Sequence, residues 1–360
     1  MLYVGNTASP HFRAWPAHFA RRGHEVHVLH FAPDPGSAVE GARLHELPGI
    51  VWSLRGGWRL GALGLRHVSR RVHPHVLHTQ QVIPSSYAGC LARIRPHVAT
   101  AWGSEVLLAP KPHQRRLVAR VARTADLLTA DSEHVLAVLG ELGADPERRR
   151  LVPWGFERAW LEPAVSRSRD EAARRAGLPA GRTIVLSPRG TLDLYEPETV
   201  VRGLAFAAKS VPGLLGVVAC DQGGDAVPIE RLEALAQELG IEIDFRPKWP
   251  HEQMAFVYRA VAVCVSVPRS DSAPTSVVEA VALGAPVVVS DLPWTREEPY
   301  RHLHMEVVPV GEAEALGGAI ARQVRSGPAE ENQRVAGRYF DRDVLFGAVE
   351  KEYERLAGRA

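Results

Sequence analysis

The sequence predicts an α/β protein built from two doubly wound domains that face each other across a cleft. Its 360 residues suit two domains with separate cores better than a single domain. Short runs rich in valine, leucine and isoleucine alternate with longer helical patterns along nearly the whole chain. Because these runs are apolar on both faces, they predict parallel strands that are covered by helices on two sides.

The predicted strands form two separate series. In the first half of the chain they are residues 2–5, 25–31, 75–79, 98–101, 127–130 and 151–153. In the second half they are residues 183–187, 214–219, 241–245, 262–267 and 286–290. Two series of this kind predict two Rossmann-like domains, whose ligands bind at the carboxyl ends of the strands.

Helical patterns between the strands suggest the domain boundaries. Pro197 and Pro228 each open a pattern that is apolar on one face, and Gly240 closes the second one. Segment 160–175 carries Pro163, two serines and many charges, which predicts an inter-domain linker. We therefore expect an N-terminal domain over residues 1–160 and a C-terminal domain over residues 161–340. Residues 341–360 are expected to form a helix that packs back toward the N-terminal domain.

Composition argues against several classes of protein. The formal net charge of +2 and the ordinary charged fraction of 23% disfavour a dedicated nucleic-acid binder and a disordered chain. Cys90, Cys220 and Cys264 match no metal or redox spacing, so we expect small buried hydrophobic residues. The chain shows no signal-peptide pattern at its start and no uncharged apolar run of about 20 residues. These features predict a cytoplasmic protein.

A polar loop with two acidic residues nearby follows the predicted strand 262–267. The loop contains Asp271 and leads through Thr275 and Ser276 into a helix of small residues that carries Glu279. Backbone N–H groups at the N-terminus of a helix suit a phosphate group. However, Ser276-x-x-Glu279 is also the pattern of a helix capping box, which needs no ligand. Glu279 by itself therefore has two interpretations.

The spacing of Asp271 and Glu279 resembles the acid-x7-acid signature of the retaining glycosyltransferases of family 4, which have the two-domain GT-B fold. Further short matches follow the order of that family along nearly the whole chain. They are Val4-Gly5-Asn6, Arg22-Gly23-His24-Glu25-Val26, His78, Trp102-Gly103-Ser104-Glu105, Val152-Pro153-Trp154-Gly155-Phe156-Glu157 and Ser187-Pro188-Arg189. The resemblance implies an N-terminal domain that binds the acceptor and a C-terminal domain that binds a nucleotide-sugar donor.

The resemblance also implies a role for each residue of the donor site. Asp271 would contact hydroxyls of the donor sugar, Arg189 the diphosphate, and Glu279 the ribose hydroxyls. The backbone at Thr275 and Ser276 would approach the phosphates. These roles fit the chemistry, since carboxylates accept hydrogen bonds from hydroxyl pairs and a guanidinium forms forked bonds to phosphate oxygens.

The chain departs from the family pattern at several positions. The first acid is Asp271 rather than the usual glutamate. The family's lysine shortly after the arginine is missing, so its charge is either absent or supplied elsewhere, for example by Lys248. Trp249 lies where a nucleotide base stacks or is simply an exposed surface tryptophan. His78 matches the first histidine of the family's pair, and either takes part in catalysis or is a buried histidine bonded to the backbone.

The resemblance implies transfer from UDP-sugar or GDP-sugar with retention of anomeric configuration, and with no separate nucleophile or cofactor. Arg189 and a helix N-terminus would stabilise the charge on the departing phosphate. Asp341-Arg342-Asp343 has the pattern of a metal-binding Asp-x-Asp. Because it lies just before the last helix, we interpret Asp341 as a helix cap and expect no metal.

Alternatives remain at the level of function and partners. A sugar-nucleotide epimerase and a non-catalytic nucleotide-sugar-binding subunit have the same architecture. The expected acceptor is a hydroxyl of a small molecule, a glycan or a lipid-linked sugar. The stretch 58–71 mixes four arginines with leucines and valine, which is typical either of peripheral contact with an anionic membrane or of a helix with a solvated basic face.

Overall fold

The computed structural model describes residues 1–49, 51, 58–109, 111–220 and 226–358. The chain separates into two compact units. Unit 1 comprises Met1–Pro153 together with Val344–Ala360, and unit 2 comprises Trp154–Asp343. The C-terminal segment therefore returns to the N-terminal unit, as the sequence predicts.

Each unit contains a parallel sheet, with seven strands in unit 1 and six in unit 2 among the described residues. The strands of unit 1 are β1 (Leu2–Gly5), β2 (His27–His30), β3 (Arg43–Glu46), β4 (Leu77–Gln80), β5 (His97–Thr100), β6 (Leu127–Ala130) and β7 (Arg149–Leu151). Those of unit 2 are β8 (Thr183–Ser187), β9 (Leu214–Cys220), β10 (Ile243–Pro247), β11 (Val263–Ser266), β12 (Val287–Ser290) and β13 (Glu306–Val308). The strand orders are β3-β2-β1-β4-β5-β6-β7 and β10-β9-β8-β11-β12-β13. Both orders reverse direction in the middle of the sheet, which defines a doubly wound topology.

Helices connect the strands. In chain order they are α1 (Pro10–Arg21), α2 (Trp58–Val72), α3 (Tyr87–Ala92), α4 (Ser104–Leu107), α5 (Pro112–Thr124), α6 (Glu133–Glu141), α7 (Arg158–Val165), α8 (Arg169–Ala176), α9 (Pro197–Ala208), α10 (Ile229–Glu238), α11 (His251–Ala260), α12 (Thr275–Ala282), α13 (Ala313–Ser326), α14 (Glu330–Tyr339) and α15 (Arg342–Ala357). No helix in the described part of the chain is long and apolar enough to cross a lipid bilayer.

Both faces of the unit 1 sheet are buried because successive side chains of a strand point to opposite sides. Leu2 and Val4 of β1 belong to the core under α2 and α3. Tyr3, between them, faces the other side, where its ring stacks on Phe19 of α1 with 6.1 Å between centroids. Its hydroxyl lies 3.0 Å from the hydroxyl of Tyr353, so α15 completes this second face of unit 1.

The unit 2 sheet is built in the same way. Ile184 and Leu186 of β8 belong to the core that α11 and α12 cover. Val185, between them, belongs to the core under α9 and α13. The central strand β8 is therefore covered on both faces, which explains why it reads as an uninterrupted apolar run.

The structure differs from the sequence prediction at two edge strands and at the expected linker. Strands β3 and β13 are partly exposed, and their mixed composition gives no apolar run to recognise. Segment 160–175, interpreted as a linker, folds mainly as α7 and α8, and both helices belong to unit 2. Their small buried residues Ala164, Ala172 and Ala176 lie in its core, and alanines of this kind gave no strong helical signature in the sequence.

Candidate functional site

The predicted donor-site residues lie at the carboxyl ends of the central strands of unit 2. Arg189 follows β8, and Asp271 lies in the loop between β11 and α12. Strands β8 and β11 are neighbours at the point where the strand order reverses. Helices leave such a point toward opposite faces of the sheet, which opens a crevice where open α/β sheets bind their ligands.

Arg189 and Asp271 form an ion pair in this crevice. Nη2 of Arg189 donates to Oδ2 of Asp271 at 2.5 Å, and the two side chains are only 17% and 15% exposed. Nη1 of Arg189 donates to the Oγ of Ser276 at 3.5 Å. Burial acts to lower the pKa of Arg189, but the charge of Asp271 and further neighbours outweighs it, so the pKa is raised and the guanidinium stays charged.

Contacts between the two loops fix the position of Arg189. Its guanidinium lies 4.8 Å from the centre of the Tyr195 ring, which is a favourable cation–π distance. The backbone N–H of Arg269, in the loop between β11 and α12, donates to the carbonyl of Leu194 at 2.9 Å. The Arg269 side chain pairs with Asp193, which like Leu194 lies in the loop between β8 and α9. The two loops therefore hold each other at the sheet edge.

Helix α12 begins at Thr275, with Pro274 as the N-cap residue and no side-chain capping bond. Ser276 is therefore the second residue of the helix and Glu279 the fifth, two residues beyond the position of a capping acid. The capping-box interpretation of Ser276 and Glu279 is wrong, because the helix starts two residues earlier than that pattern requires. Glu279 therefore does not cap this helix, and its carboxylate makes other contacts.

The Glu279 side chain is 7% exposed and lies beside two residues of α11. Nε2 of His251 is 3.5 Å from its Oε1. The hydroxyl of Tyr258 bonds to the same carboxylate, and burial together with the charge of Glu279 raises the pKa of Tyr258 well above its usual value. The ring of Trp160 stacks on His251, with 5.0 Å between centroids, and its indole N–H donates to the His251 carbonyl at 3.0 Å. Glu279 is thus a buried acid in a preformed polar and aromatic setting.

Sequence reasoning missed His251, Tyr258 and Tyr195 as site residues. His251 and Tyr258 are seven residues apart on α11, so they lie on one face of that helix. That spacing was the available signal, but nothing in the sequence says which element the face meets.

Lys248 and Trp249 follow the edge strand β10, two strands away from β8. Lys248 is exposed. The indole N–H of Trp249 donates to the carbonyl of Ala176 at 2.9 Å, and the guanidinium of Arg246 lies 4.9 Å from the centre of its ring. Trp249 is half-buried against the core rather than a simple surface residue. The structure brings Arg189, Asp271 and Ser276 together, whereas the roles of Lys248 and Trp249 stay predictions.

His78 lies in unit 1, at the second position of the buried strand β4. Its Nδ1 is hydrogen-bonded to the hydroxyl of Tyr353, and its Nε2 lies 2.6 Å from the Oγ1 of Thr100. Burial, and secondly the nearby His97, lowers its pKa to about 3, so the ring is neutral near pH 7. Both ring nitrogens are engaged inside unit 1, by side chains and not by the backbone as the sequence-based alternative held. The catalytic role of His78 stays a prediction with no direct geometric support.

The Asp-x-Asp pattern before the last helix has the structural role that the sequence predicts. Oδ1 of Asp341 accepts the backbone N–H of Asp343 at 3.0 Å, which is a capping bond at the start of α15. Its Oδ2 accepts from Nε of Arg158 at 2.5 Å. Helix capping by Asp341 is therefore confirmed.

Two family profiles match the chain, one in each unit. The profile described as "Glycosyl transferase 4-like" matches residues 1–132, and the one described as "Glycosyl transferases group 1" matches residues 211–339. The chain belongs to glycosyltransferase family 4. The second match contains Asp271, Ser276 and Glu279, so the candidate site lies inside a family-4 domain.

Curated relatives are similar to the chain over much of its length. A D-inositol 3-phosphate glycosyltransferase of Acidothermus cellulolyticus is 29% identical over 328 residues, which cover 84% of this chain and 69% of that protein. The matches to the next two curated relatives span about half of their length, 53% and 50%.

Solved structures share the fold of the family-4 chain. The sucrose-phosphate synthase of Thermosynechococcus elongatus superposes with a TM-score of 0.82 at 19% identity, covering 100% of this chain and 99% of that one. HepE of Anabaena, solved with UDP and glucose, superposes with a TM-score of 0.78 at 16% identity, covering 99% of both chains. The predicted GT-B fold, with its two Rossmann-like domains, is confirmed.

Proposed function

We propose that this family-4 glycosyltransferase moves a hexosyl group from a nucleoside-diphosphate sugar to a hydroxyl acceptor, with retention and without a metal ion. The observation that supports this most is the set formed by Arg189, Asp271 and Ser276, with Glu279 farther along the same helix as Ser276. A charged guanidinium, a carboxylate and a helix N-terminus converge there at the strand switch point of unit 2. Unit 2 would bind the donor and unit 1 the acceptor.

Arg189 is proposed to bind the diphosphate of the donor. Its planar fork matches two phosphate oxygens, and its low exposure strengthens that attraction. The first N–H groups of α12, at Thr275 and Ser276, carry partial positive charge and would bind the same group. Lys248, whose side chain is exposed, is proposed as the replacement for the lysine that the family usually has shortly after its arginine.

The two carboxylates are proposed to accept hydrogen bonds from donor hydroxyls, one from the ribose and the other from the transferred sugar. Glu279 would accept both ribose hydroxyls, while His251 and Tyr258 hold it in place. Asp271 would accept hydroxyls of the sugar once the diphosphate has taken its place on Arg189. Trp249 is proposed to lie near the base.

Transfer requires stabilisation of negative charge on the departing diphosphate, which Arg189 and the α12 N-terminus would supply. In the retaining mechanism that we propose, no side chain acts as a nucleophile. An oxygen of the leaving phosphate helps to take the proton from the acceptor hydroxyl, which attacks on the same face of the sugar. His78 is not needed for any of these steps.

The choice of donor and acceptor rests on the relatives. UDP is the favoured nucleotide because the superposable Anabaena structure was solved with UDP and glucose. The curated relatives are named for D-inositol 3-phosphate, so a phosphorylated polyol is the first acceptor to test, before glycans and lipid-linked sugars. Product formed from the donor alone would instead indicate an epimerase.

Calorimetric titration with UDP, GDP, ADP and dTDP tests the donor site. We expect saturable binding of UDP to the wild type and roughly 10- to 100-fold weaker binding to Glu279→Gln, because charged hydrogen bonds to two hydroxyls are weakened. Glu252→Gln, an exposed glutamate of α11, is the matched control and should bind as the wild type does. Absence of nucleotide binding, or equal binding by Glu279→Gln, would refute the site assignment.

A further inference from the structure

Charge is distributed very unevenly along the chain. Between Leu47 and Ala125 there are twelve arginine and lysine residues and a single acidic residue, Glu105, although the whole chain has a net charge of only +2. Glu105 is half-buried, and its Oε1 accepts backbone N–H groups from Trp102 at 2.8 Å and from Val82 at 3.2 Å, so it contributes little negative charge to the surface. The rest of the chain is therefore net acidic, and unit 1 holds the basic region.

The topology of unit 1 collects these basic residues on one face. Helices α2, α3 and α5 connect β3 to β4, β4 to β5 and β5 to β6, and all three crossovers run in the same direction along the sheet. Because such crossovers are right-handed, the three helices lie on the same side of the sheet. Helix α3 packs between α2 and α5. Helix α1 runs from β1 to β2 in the opposite direction and covers the other side with α15.

Ten exposed basic side chains lie on or next to these helices, and together they are called the basic face. They are Arg59, Arg66, Arg70 and Arg71 on α2, Arg93 directly after α3, and Lys111, Arg115, Arg116, Arg120 and Arg123 on or before α5. Two leucines lie within the α2 part of this face. Leu60 is 43% exposed and Leu63 is 65% exposed, three residues apart and therefore on the same side of the helix.

We propose that the basic face docks unit 1 onto an anionic phospholipid bilayer. Arginine side chains carry charge at the end of long apolar stems, so they bind lipid phosphates while the stems lie along the interface. Exposed leucines on the same helix face enter the boundary between headgroups and acyl chains. A nucleic acid would match the charge but offers nothing to Leu60 and Leu63, so the leucines favour the bilayer. This proposal is independent of the donor site and of the transfer proposed for it.

Vesicle co-sedimentation of the full chain tests the proposal. We expect binding to vesicles of phosphatidylcholine and phosphatidylglycerol in a 7:3 ratio, and loss of that binding at roughly 0.5 M salt, where charge is screened within a few ångströms. Vesicles of phosphatidylcholine alone should not bind. The variant Arg66→Gln/Arg70→Gln/Arg71→Gln should bind roughly 100-fold more weakly, about fivefold for each arginine.

Two further variants separate charge from apolar contact. Arg174→Gln/Arg202→Gln/Arg325→Gln removes the same charge from exposed positions of unit 2 and should bind vesicles as the wild type does. Leu60→Gln/Leu63→Gln keeps every charge, replaces side chains that are already exposed, and should weaken vesicle binding by about tenfold.

Three results would overturn the proposal. The first is an equal loss of vesicle binding in the two arginine variants. The second is binding to phosphatidylcholine alone that is as tight as binding to the anionic vesicles. The third is unchanged vesicle binding by the leucine variant. Tighter binding to duplex DNA or RNA than to anionic vesicles would instead identify a nucleic-acid surface. UDP binding by the same variants reports separately on the donor site, so failure of one proposal is distinguishable from failure of the other.

Discussion

Two buried histidines predict that unit 1 loses stability in mild acid. Burial lowers the pKa of His78 to about 3 and that of His97 to about 4, whereas an unfolded chain holds histidine near pH 6.5. Below pH 6.5 the unfolded chain therefore binds protons that the folded chain does not. The stabilising contribution is complete above pH 6.5 and falls as the pH approaches the folded values. At pH 5 each histidine lowers the free energy of unfolding by about 2 kcal/mol relative to pH 8, and the pair by about 4 kcal/mol.

Replacement of His78 by glutamine separates its structural role from the predicted catalytic one. His78→Gln should lose about 2 kcal/mol between pH 8 and pH 5, instead of the 4 kcal/mol expected of the wild type, because one of the two protonation sites is removed. At pH 8 it should already be less stable by about 1–3 kcal/mol, since Tyr353 and Thr100 lose their ring partner. His67→Gln, on the exposed face of α2, is the matched control and should behave as the wild type does.

The measurement is urea unfolding at both pH values, with proteolytic cleavage inside residues 1–153 as the readout for unit 1. An identical pH dependence of His78→Gln and the wild type would refute the assignment of His78 as a buried neutral group. Turnover gives the second readout. A loss of more than about 100-fold at unchanged stability would support the catalytic role, because general acid–base catalysis contributes at least about that factor.

Two other substitutions test the pairs in unit 2. Asp271→Asn should lower stability by about 2 kcal/mol because Arg189 keeps a nearly buried charge without its carboxylate, yet it should bind UDP at least as tightly as the wild type while sugar transfer is lost. Thermal shift and calorimetry measure both effects, and weaker UDP binding would contradict the exchange proposed for Asp271. Asp341→Ala should cost about 1 kcal/mol by removing the cap on the Asp343 N–H, with a smaller effect for Asp341→Asn, which can still cap. Loss of turnover in Asp341→Asn at unchanged stability would favour a metal-binding role instead.

The sequence predicts the centre of each sheet better than its edges, for a physical reason. Central parallel strands are buried on both faces, so a strand such as β9 appears as the continuous run Leu214–Cys220. An edge strand such as β3, Arg43–Glu46, is solvated on one side and carries charges, so its residues resemble a loop. The helices α7 and α8 were missed because the residues that they bury in the core are mainly alanines. Alanine gives only a weak apolar periodicity in the sequence.

The candidate donor site shows the same limit of sequence reasoning. Arg189 and Asp271 were predictable because their positions at strand ends follow from local patterns, and parallel strands place those ends at one edge. The partners of Glu279 on α11 depend on how two helices pack, which no local pattern specifies. Likewise the neighbours of His78 include Tyr353, 275 residues farther along the chain, so its environment appears only when α15 is seen to return to unit 1.

The guanidinium of Arg189 has hydrogen-bonding capacity that the fold alone does not fully satisfy. Nη2 of Arg189 binds Asp271, Nη1 is at 3.5 Å from Ser276, and the buried Nε has no hydrogen-bond partner among the described residues. An orphaned buried N–H costs stability, and a diphosphate has enough oxygens to satisfy the whole fork. We infer that Asp271 neutralises Arg189 until a diphosphate displaces it, and that this displacement directs its carboxylate to the sugar. In a closed core, an ion pair such as Arg189–Asp271 would contribute little to stability. In a binding site, the same pair lets Arg189 exchange one anion, the Asp271 carboxylate, for another, the diphosphate.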